Sequence, residues 1–169
     1  MFISTRRTTA LILGVLGAAT FSTPALAGTA SSTLSVNATV TANCTVSTTA
    51  LNFGSVNTLS ASAVDGTGGV TVTCTNGSAW TAAADAGSGT GATLATRRLT
   101  SGGNALNYAL YTDAGRSTVW GDGTGSTATV GNTGSGSAQT FTVYGRIAGG
   151  QNGAPAGTYA DTVSVTITY

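Results

Sequence analysis

The sequence contains no lysine, no glutamate and no histidine, and only 7% of its 169 residues are charged. The side chains that most often serve as general bases, imidazole metal ligands or Schiff-base nucleophiles are therefore missing. Five aspartates and two cysteines remain as candidate titrating groups. We expect no catalytic residues, no metal site and no cofactor, and hence a protein that is not an enzyme.

The near absence of charge also limits the partners. Residues 28–169 carry four arginines against five aspartates, a net charge of −1. A protein so close to neutrality lacks the basic surface that attracts nucleic acid or docks to a charged membrane, and we expect neither partner. The adjacent Arg97 and Arg98 are interpreted as solvated side chains of a turn or a strand face.

The first 27 residues have the parts of a secretory signal peptide. Arg6 and Arg7 precede an apolar run over residues 10–21, and residues 25–27 (ALA) form a small-x-small cleavage site. Because the run is too short to span a bilayer, we expect export to the periplasm and then to the cell surface, with no membrane insertion. Cleavage after Ala27 leaves 142 residues, enough for one domain.

Cys44 and Cys74 are the only two cysteines. An even pair in an exported chain predicts a disulfide bond. Closing a loop of about 30 residues would stabilise the domain by roughly 3 to 4 kcal/mol in the chain-entropy model. The separation does not match a redox-active Cys-x-x-Cys pair, so we expect the bond to be structural.

Period-two alternation of Thr, Val, Ile, Tyr and Phe between clusters of Gly, Asn, Asp and Ser predicts an all-β protein. Six or seven strands suit an immunoglobulin-like β-sandwich. The predicted strands cover residues 40–46, 69–75, 79–84, 105–112, 139–147 and 159–169. The glycine-rich stretches 85–91 and 121–137 are predicted to be loops.

The other residues that could form a binding site are interpreted as structural. Neither glycine cluster follows a strand and opens a helix, so a nucleotide site is not expected. Asp113 and Asp122 match no calcium-binding spacing and are interpreted as solvated loop residues. Five aromatic residues are predicted to lie in the core or at the sandwich edge: Phe53, Trp80, Tyr108, Trp120 and Phe141.

The alternation of apolar and polar residues over positions 30–46 is longer than one strand of a compact domain allows. Every odd position from 29 to 47 is Thr, Ser or Asn, while the even positions are mostly apolar. Seventeen residues of strand would be about 56 Å long, and domain strands rarely exceed ten residues. No Gly or Pro lies between residues 29 and 53, so the segment does not turn back as a hairpin.

We therefore divide the chain into a signal peptide (1–27), an N-terminal extension (28–39) and a β-sandwich domain (40–169). The extension is predicted to be a donor strand that pairs with another molecule. Its apolar face is formed by the even-numbered residues Ala30, Ser32, Leu34, Val36 and Ala38.

The last eleven residues are predicted to form a strand that lacks a neighbour, whereas the extension is a strand without a domain to pair with. The predicted final strand has an apolar face, and no further strand follows to cover it. A sandwich that lacks its last strand leaves an unpaired edge and an open groove into the core. We expect an acceptor groove here, filled by the extension of another copy, which produces a head-to-tail polymer. The residues predicted to flank it are Val163, Val165, Ile167 and Tyr169.

Three stretches and one cysteine resemble the spore coat protein U domain family, which includes the major pilins of archaic, Csu-type chaperone-usher pili. They are residues 34–46 (LSVNATVTANCTV), 51–54 (LNFG) and 155–169 (PAGTYADTVSVTITY), with the second cysteine at Cys74. The resemblance implies an incomplete immunoglobulin-like fold, identical or related pilin subunits as partners, a periplasmic chaperone and an outer-membrane usher. It further implies a fimbrial role in adhesion and biofilm formation.

Two alternatives remain open at this point. Some members of the family are described as spore coat components, so the protein is alternatively a secreted spore-coat protein. A carbohydrate-binding module is the other alternative, with Trp80, Tyr111 and Trp120 as a stacking surface.

Overall fold

A computed structural model describes residues 26–169 of the chain. The predicted signal peptide therefore lies almost entirely outside the described residues. Contacts divide the chain into two units, with the boundary between Ala38 and Thr39. Residues 26–38 form no strand or helix, and all of them are exposed.

Residues 39–169 are built from β-strands, turns and irregular segments, which confirms the all-β prediction. No helix occurs between residues 26 and 169, and hence none there has the length and apolarity needed to cross a membrane. The ten strands are β1 (Cys44–Thr49), β2 (Val64–Cys74), β3 (Ala79–Ala84), β4 (Arg97–Ser101), β5 (Asn104–Tyr111), β6 (Val119–Trp120), β7 (Thr127–Ala128), β8 (Val130–Thr133), β9 (Gln139–Ile147) and β10 (Val165–Thr168).

The strands form two sheets. The larger has seven strands in the order β1-β2-β9-β5-β6-β7, with β4 also paired to β5. The smaller has the order β10-β3-β8. All pairs are antiparallel except β6 with β7. β4 and β5 are joined by a tight turn at Gly102 and Gly103, and Gly102 has a φ of 58°.

A single hydrophobic core receives side chains from both sheets. Period-two alternation places Val70 and Val72 of β2 on its inner face, while Trp80 and Ala82 of β3 enter from the smaller sheet. Trp120 is 2% exposed, and its indole Nε1 donates to the Ala82 carbonyl at 3.1 Å. The five aromatic residues predicted for the core all belong to it or pack against it.

Cys44 and Cys74 form the predicted disulfide bond. They are directly opposite each other in the register of β1 and β2, so the bond joins the first strand to the strand with which it pairs. The first strand nevertheless begins at Cys44 and ends at Thr49, later than the predicted range 40–46. Val40 is exposed and belongs to no strand, and the last backbone contact before β1 is the hydrogen bond from the Thr75 N–H to the Asn43 carbonyl at 2.9 Å.

Two further segments differ from their predicted secondary structure. The stretch 121–137 was expected to be a loop, yet it contains β7 and β8. These strands are only two and four residues long, too short for alternation to be recognised in the sequence. The expected strand 159–169 is reduced to β10, because residues 161–164 make no ladder pairing.

The chain that leaves β1 passes over the inner face of β2 at two glycines. A side chain at Gly66 or Gly68 would meet backbone carbonyl oxygens of Asn52 or Thr49 at 2.9 Å. Leu51 occupies the space above Gly68, with its Cβ 3.0 Å from where a Cβ on that glycine would lie. Glycine is thus required in these strand positions for the close approach of another backbone.

We expect Gly68→Ala to lower the free energy of unfolding by about 1 to 3 kcal/mol, since the added methyl displaces the crossing backbone. Gly103→Ala is the matched control, because no atom lies within 4 Å of the position of its Cβ. Urea unfolding of both variants measures the difference. Equal midpoints for the two would contradict the crossing described here.

Candidate functional site

The strands β1 and β10 each have a neighbour on one side only. β1 pairs with β2 and β10 pairs with β3, and within residues 26–169 neither has a second partner in its sheet. Their outer N–H and C=O groups are therefore available to another strand. The two edges belong to different sheets, whose opposite ends are formed by β7 and β8.

A cavity of about 310 Å³ opens between these two edges. Thr48 and Thr49 of β1 line one side, while Val163 and Val165 line the other. The remaining lining includes core residues from several strands: Val70, Leu110, Trp120 and Val143. The cavity is thus an opening into the hydrophobic core.

A second cavity of about 720 Å³ adjoins the first. The two share Leu51, Phe53 and Leu99, and we call them together the edge groove. The second part is lined mainly by the segments 51–59 and 154–159. The sequence contained Leu51 and Phe53 as a recognisable LNFG segment, but it offered no sign that they face a groove.

Arg97 lies fully buried beside the groove, with 0% of its surface exposed. Its guanidinium donates to the backbone carbonyls of Asp85, Leu94 and Trp120, each at 2.9 Å. Because these carbonyls satisfy the donors, the buried charge is tolerated. Burial lowers the pKa of Arg97 below its usual value. The prediction that Arg97 is solvated is therefore wrong, and β4, which it begins, was missed.

Tyr108 and Asp161 line the smaller part of the groove next to Arg97. The Tyr108 hydroxyl donates to Oδ2 of Asp161 at 2.8 Å. Burial raises the pKa of Tyr108, and the hydrogen bond to Asp161 raises it further. Oδ1 of Asp161 accepts hydrogen bonds from the backbone N–H of Ser88 at 2.7 Å and from the Ser88 hydroxyl at 2.8 Å.

Asp85 is the second carboxylate of this cluster. Its Oδ1 accepts the backbone N–H groups of Gly87 and Ser164, both at 2.9 Å. Partial burial acts to raise the pKa of Asp85, but these backbone hydrogen bonds and the nearby Arg97 lower it below the usual value. Asp85 and Asp161 thus both connect the segment before β10 to the loop after β3.

The four residues predicted to flank the groove are not equivalent. Val163 and Val165 line it, as stated above, although Val163 precedes β10. Ile167 is half-buried against the core but lines neither cavity. Tyr169 is 56% exposed and lies outside the cavities. The apolar face of the last strand is therefore divided among groove, core and surface.

The predicted donor residues are exposed within their own unit. Leu34 and Val36 have 87% and 83% of their surface exposed, which is unusual for large aliphatic side chains. Ala30, Ser32 and Ala38 are also exposed. No strand partner is assigned to any residue between 26 and 38.

The remaining candidates have structural roles. Trp80 and Trp120 are 3% and 2% exposed, so the alternative of a carbohydrate-stacking surface that uses them is wrong. Asp113 accepts hydrogen bonds from the N–H groups of Ser117 and Thr118 and thereby closes a loop. Across residues 26–169, no three Cys, Asp, Glu or His side chains are grouped as a metal site requires.

An ion pair on the outer face of the larger sheet is independent of the groove. Arg146 binds Asp65 through Nε and Nη2, at 2.7 and 2.8 Å. Arg116 approaches the same carboxylate at 3.2 Å. The hydrogen bond from Arg146 lowers the pKa of Asp65 below its usual value.

The fold and the edge groove define a two-sheet β-domain with an uncovered core edge. The family model of the Spore Coat Protein U domain matches residues 30–166. Protein U of Myxococcus xanthus is 37% identical over 163 residues, covering 86% of this chain and 88% of that protein. The chain belongs to the Spore Coat Protein U domain family.

A solved structure has the same fold. It is the CsuC–CsuE chaperone–tip adhesion subunit pre-assembly complex from archaic chaperone-usher Csu pili of Acinetobacter baumannii, with a TM-score of 0.55 and 20% identity. The match covers 78% of this chain and 40% of the length of that chain. The likeness confirms the predicted two-sheet β-fold of the archaic pilus subunits.

We expect the free energy of unfolding to be level between about pH 5 and pH 9 and to fall on both sides. The pKa of folded Asp65 and Asp85 lies below the usual 3.8, so their contribution is present above that value and is lost as the pH falls through the folded pKa. Tyr108 has a folded pKa above the usual 10.0, so its contribution is present below pH 10.0 and is lost as the pH rises further.

Urea unfolding between about pH 2 and pH 11 measures both declines. Tyr108→Phe should reduce the alkaline decline and leave the acid one in place. An alkaline decline of unchanged size in that variant would contradict the assignment to Tyr108.

Proposed function

We propose that this protein is a structural subunit of a surface pilus that is assembled by donor-strand exchange. The extension 28–39 of one copy fills the edge groove of the next and pairs with the free edge of β10. The observation that carries this proposal is the open apolar groove beside an unpaired strand edge in a chain that also exposes Leu34 and Val36.

The chemistry of the two surfaces is complementary. The extension offers alternating apolar side chains and a full set of backbone donors and acceptors, as β-strand addition requires. The smaller part of the groove offers a mainly apolar lining, which includes Val70 and Val143, together with the backbone edges of β1 and β10. Because the donor and the acceptor are different surfaces, each contact is head-to-tail, and successive contacts produce a filament.

Apolar burial and backbone hydrogen bonds are the two main favourable contributions to the contact between subunits. Burial of Leu34 and Val36 contributes roughly 1.5 to 3 kcal/mol for each side chain, and each backbone hydrogen bond contributes about 1 kcal/mol. With several hydrogen bonds, the gross stabilisation is on the order of 10 kcal/mol. Ordering the extension subtracts from this value.

The assembly route follows from the same open edge. A subunit with an uncovered core needs a temporary strand before it reaches the filament, and the solved structure of similar fold is a complex of a subunit with a chaperone. We propose a periplasmic chaperone as that temporary partner and an outer-membrane usher as the site of exchange. Residues 1–27 direct the export, and adhesion and biofilm formation are the proposed roles of the finished pilus.

Val36→Asp should abolish assembly, because the variant places an unpaired charge in the apolar groove. Asn37→Asp is the matched control, since residue 37 lies on the polar face of the same extension. We expect the fibre yield on cells to fall by at least about tenfold for the first variant and to remain near the unmodified level for the second. Negative-stain microscopy of the cell surface gives the yield.

Similar fibre yields for the two variants would contradict the assignment of the two faces. The folding of each variant is measured separately, by formation of the Cys44–Cys74 disulfide bond and by the urea midpoint of unfolding. A loss of fibres without a loss of folded subunit is the result that supports assembly through the extension.

A further inference from the structure

The last segment of the chain passes from one sheet to the other beside the edge groove. Ala160 exchanges two backbone hydrogen bonds with Thr100 of β4, at 2.8 and 3.1 Å. From Val165 onwards the chain pairs instead with β3 in the smaller sheet. Residues 161–164, which we call the crossing segment, connect the two and have no ladder pairing of their own.

Side-chain hydrogen bonds replace strand pairing in the crossing segment. Asp161 receives the Tyr108 hydroxyl on Oδ2 and the Ser88 N–H and hydroxyl on Oδ1. At the other end, Ser164 donates its N–H to Asp85 Oδ1, and its carbonyl accepts the Asp85 N–H at 3.1 Å. Both ends of the segment are thus fixed to the loop that follows β3.

The loop after β3 is shaped to receive the Asp161 carboxylate. Gly87 has a φ of 82°, a conformation that residues with a side chain rarely adopt. A Cβ at this position would overlap the Asp161 carboxylate. Arg97 is near both Asp161 and Asp85, and its positive charge offsets the cost of placing two carboxylates close together.

Hydrophobic packing alone gives β10 little support while the groove is empty. β10 has four residues and one neighbouring strand, and its inward side chains Val165 and Ile167 are only half-buried. β10 thus has ladder hydrogen bonds along one edge only, and its inward side chains keep part of their surface exposed to solvent. Something other than a second neighbour must hold it in place before a donor strand arrives.

We propose that Asp161, held by Tyr108 and Ser88, is a positioning residue that fixes the crossing segment and so keeps the free edge of β10 ready for an incoming donor strand. This inference rests on the proposed function, because it concerns the same groove. In this proposal a polar cluster keeps the acceptor groove ready for binding, and the donor strand supplies the apolar contacts. Once a donor strand pairs with β10, the new ladder hydrogen bonds hold β10 in place. The polar cluster then contributes less to the position of β10.

The test uses the full chain carrying Val36→Asp. This substitution leaves the groove of the chain intact and prevents the extension of the same chain from acting as a donor. A synthetic peptide of residues 29–39 is the donor. Tyr108→Phe removes only the hydroxyl that reaches Asp161. Tyr144→Phe is the matched control, because Tyr144 lines neither part of the groove and its ring lies under the Arg116 guanidinium, 5.8 Å from the ring centroid.

We expect Tyr108→Phe to lower hydrogen-exchange protection of the β10 amides about tenfold in the peptide-free chain and to slow peptide association by a similar factor. With peptide bound, protection should return to within about twofold of the parent chain. Tyr144→Phe should change neither quantity. Ser88→Ala, a change in an exposed loop, should reproduce a smaller loss in the same direction if the first variant does not fold.

An equal loss of protection with and without peptide would overturn the proposal, since it would indicate general stabilisation of the fold. Unchanged protection and unchanged association in both Tyr108→Phe and Ser88→Ala would overturn it as well. If the parent chain does not bind the peptide at all, the proposed function fails. In that case a selective loss of β10 protection in Tyr108→Phe still supports the positioning role, and its absence refutes it.

Discussion

The physical constraint on which the rest of this structure depends is that a hydrophobic core is covered on both faces but not along one edge. β1 and β10 are edge strands of different sheets and lie on opposite sides of the edge groove, and within residues 26–169 the backbone of each lacks a second neighbour. Unpaired edges and exposed core residues are normally avoided in proteins. The presence of both in this domain supports the proposal that a partner strand completes it.

The rest of the fold compensates for this open edge with features that do not need the missing strand. A disulfide bond fixes β1 to β2 at one side of the groove. At the other side, the polar cluster around Arg97 and Asp161 connects the segment before β10 to the core. Glycines at positions 66 and 68 let residues 49–52 cross the inner face of β2 and bring Leu51 into the groove wall.

Much of the fold was accessible from the sequence because it depends on local periodicity. Strand β3 (Ala79–Ala84) and strand β9 (Gln139–Ile147) have the predicted bounds, and the cysteine pair predicted the disulfide. The groove residues were mostly not accessible, since Leu99, Tyr108 and Val143 come from separate strands that only the folded topology brings together. Burial of Arg97 depends on the carbonyl groups of Asp85, Leu94 and Trp120, which only the folded chain brings together around one guanidinium. A solvated arginine was therefore the simpler expectation.

The claim that the missing strand comes from another copy is tested most directly by a high-resolution cryo-electron microscopy map of the assembled fibre. We expect residues 30–38 of one subunit to lie along the free edge of β10 in its neighbour, with Leu34 and Val36 directed into the edge groove. A map in which the groove is closed by residues of the same chain, or stays empty between subunits, would contradict the claim.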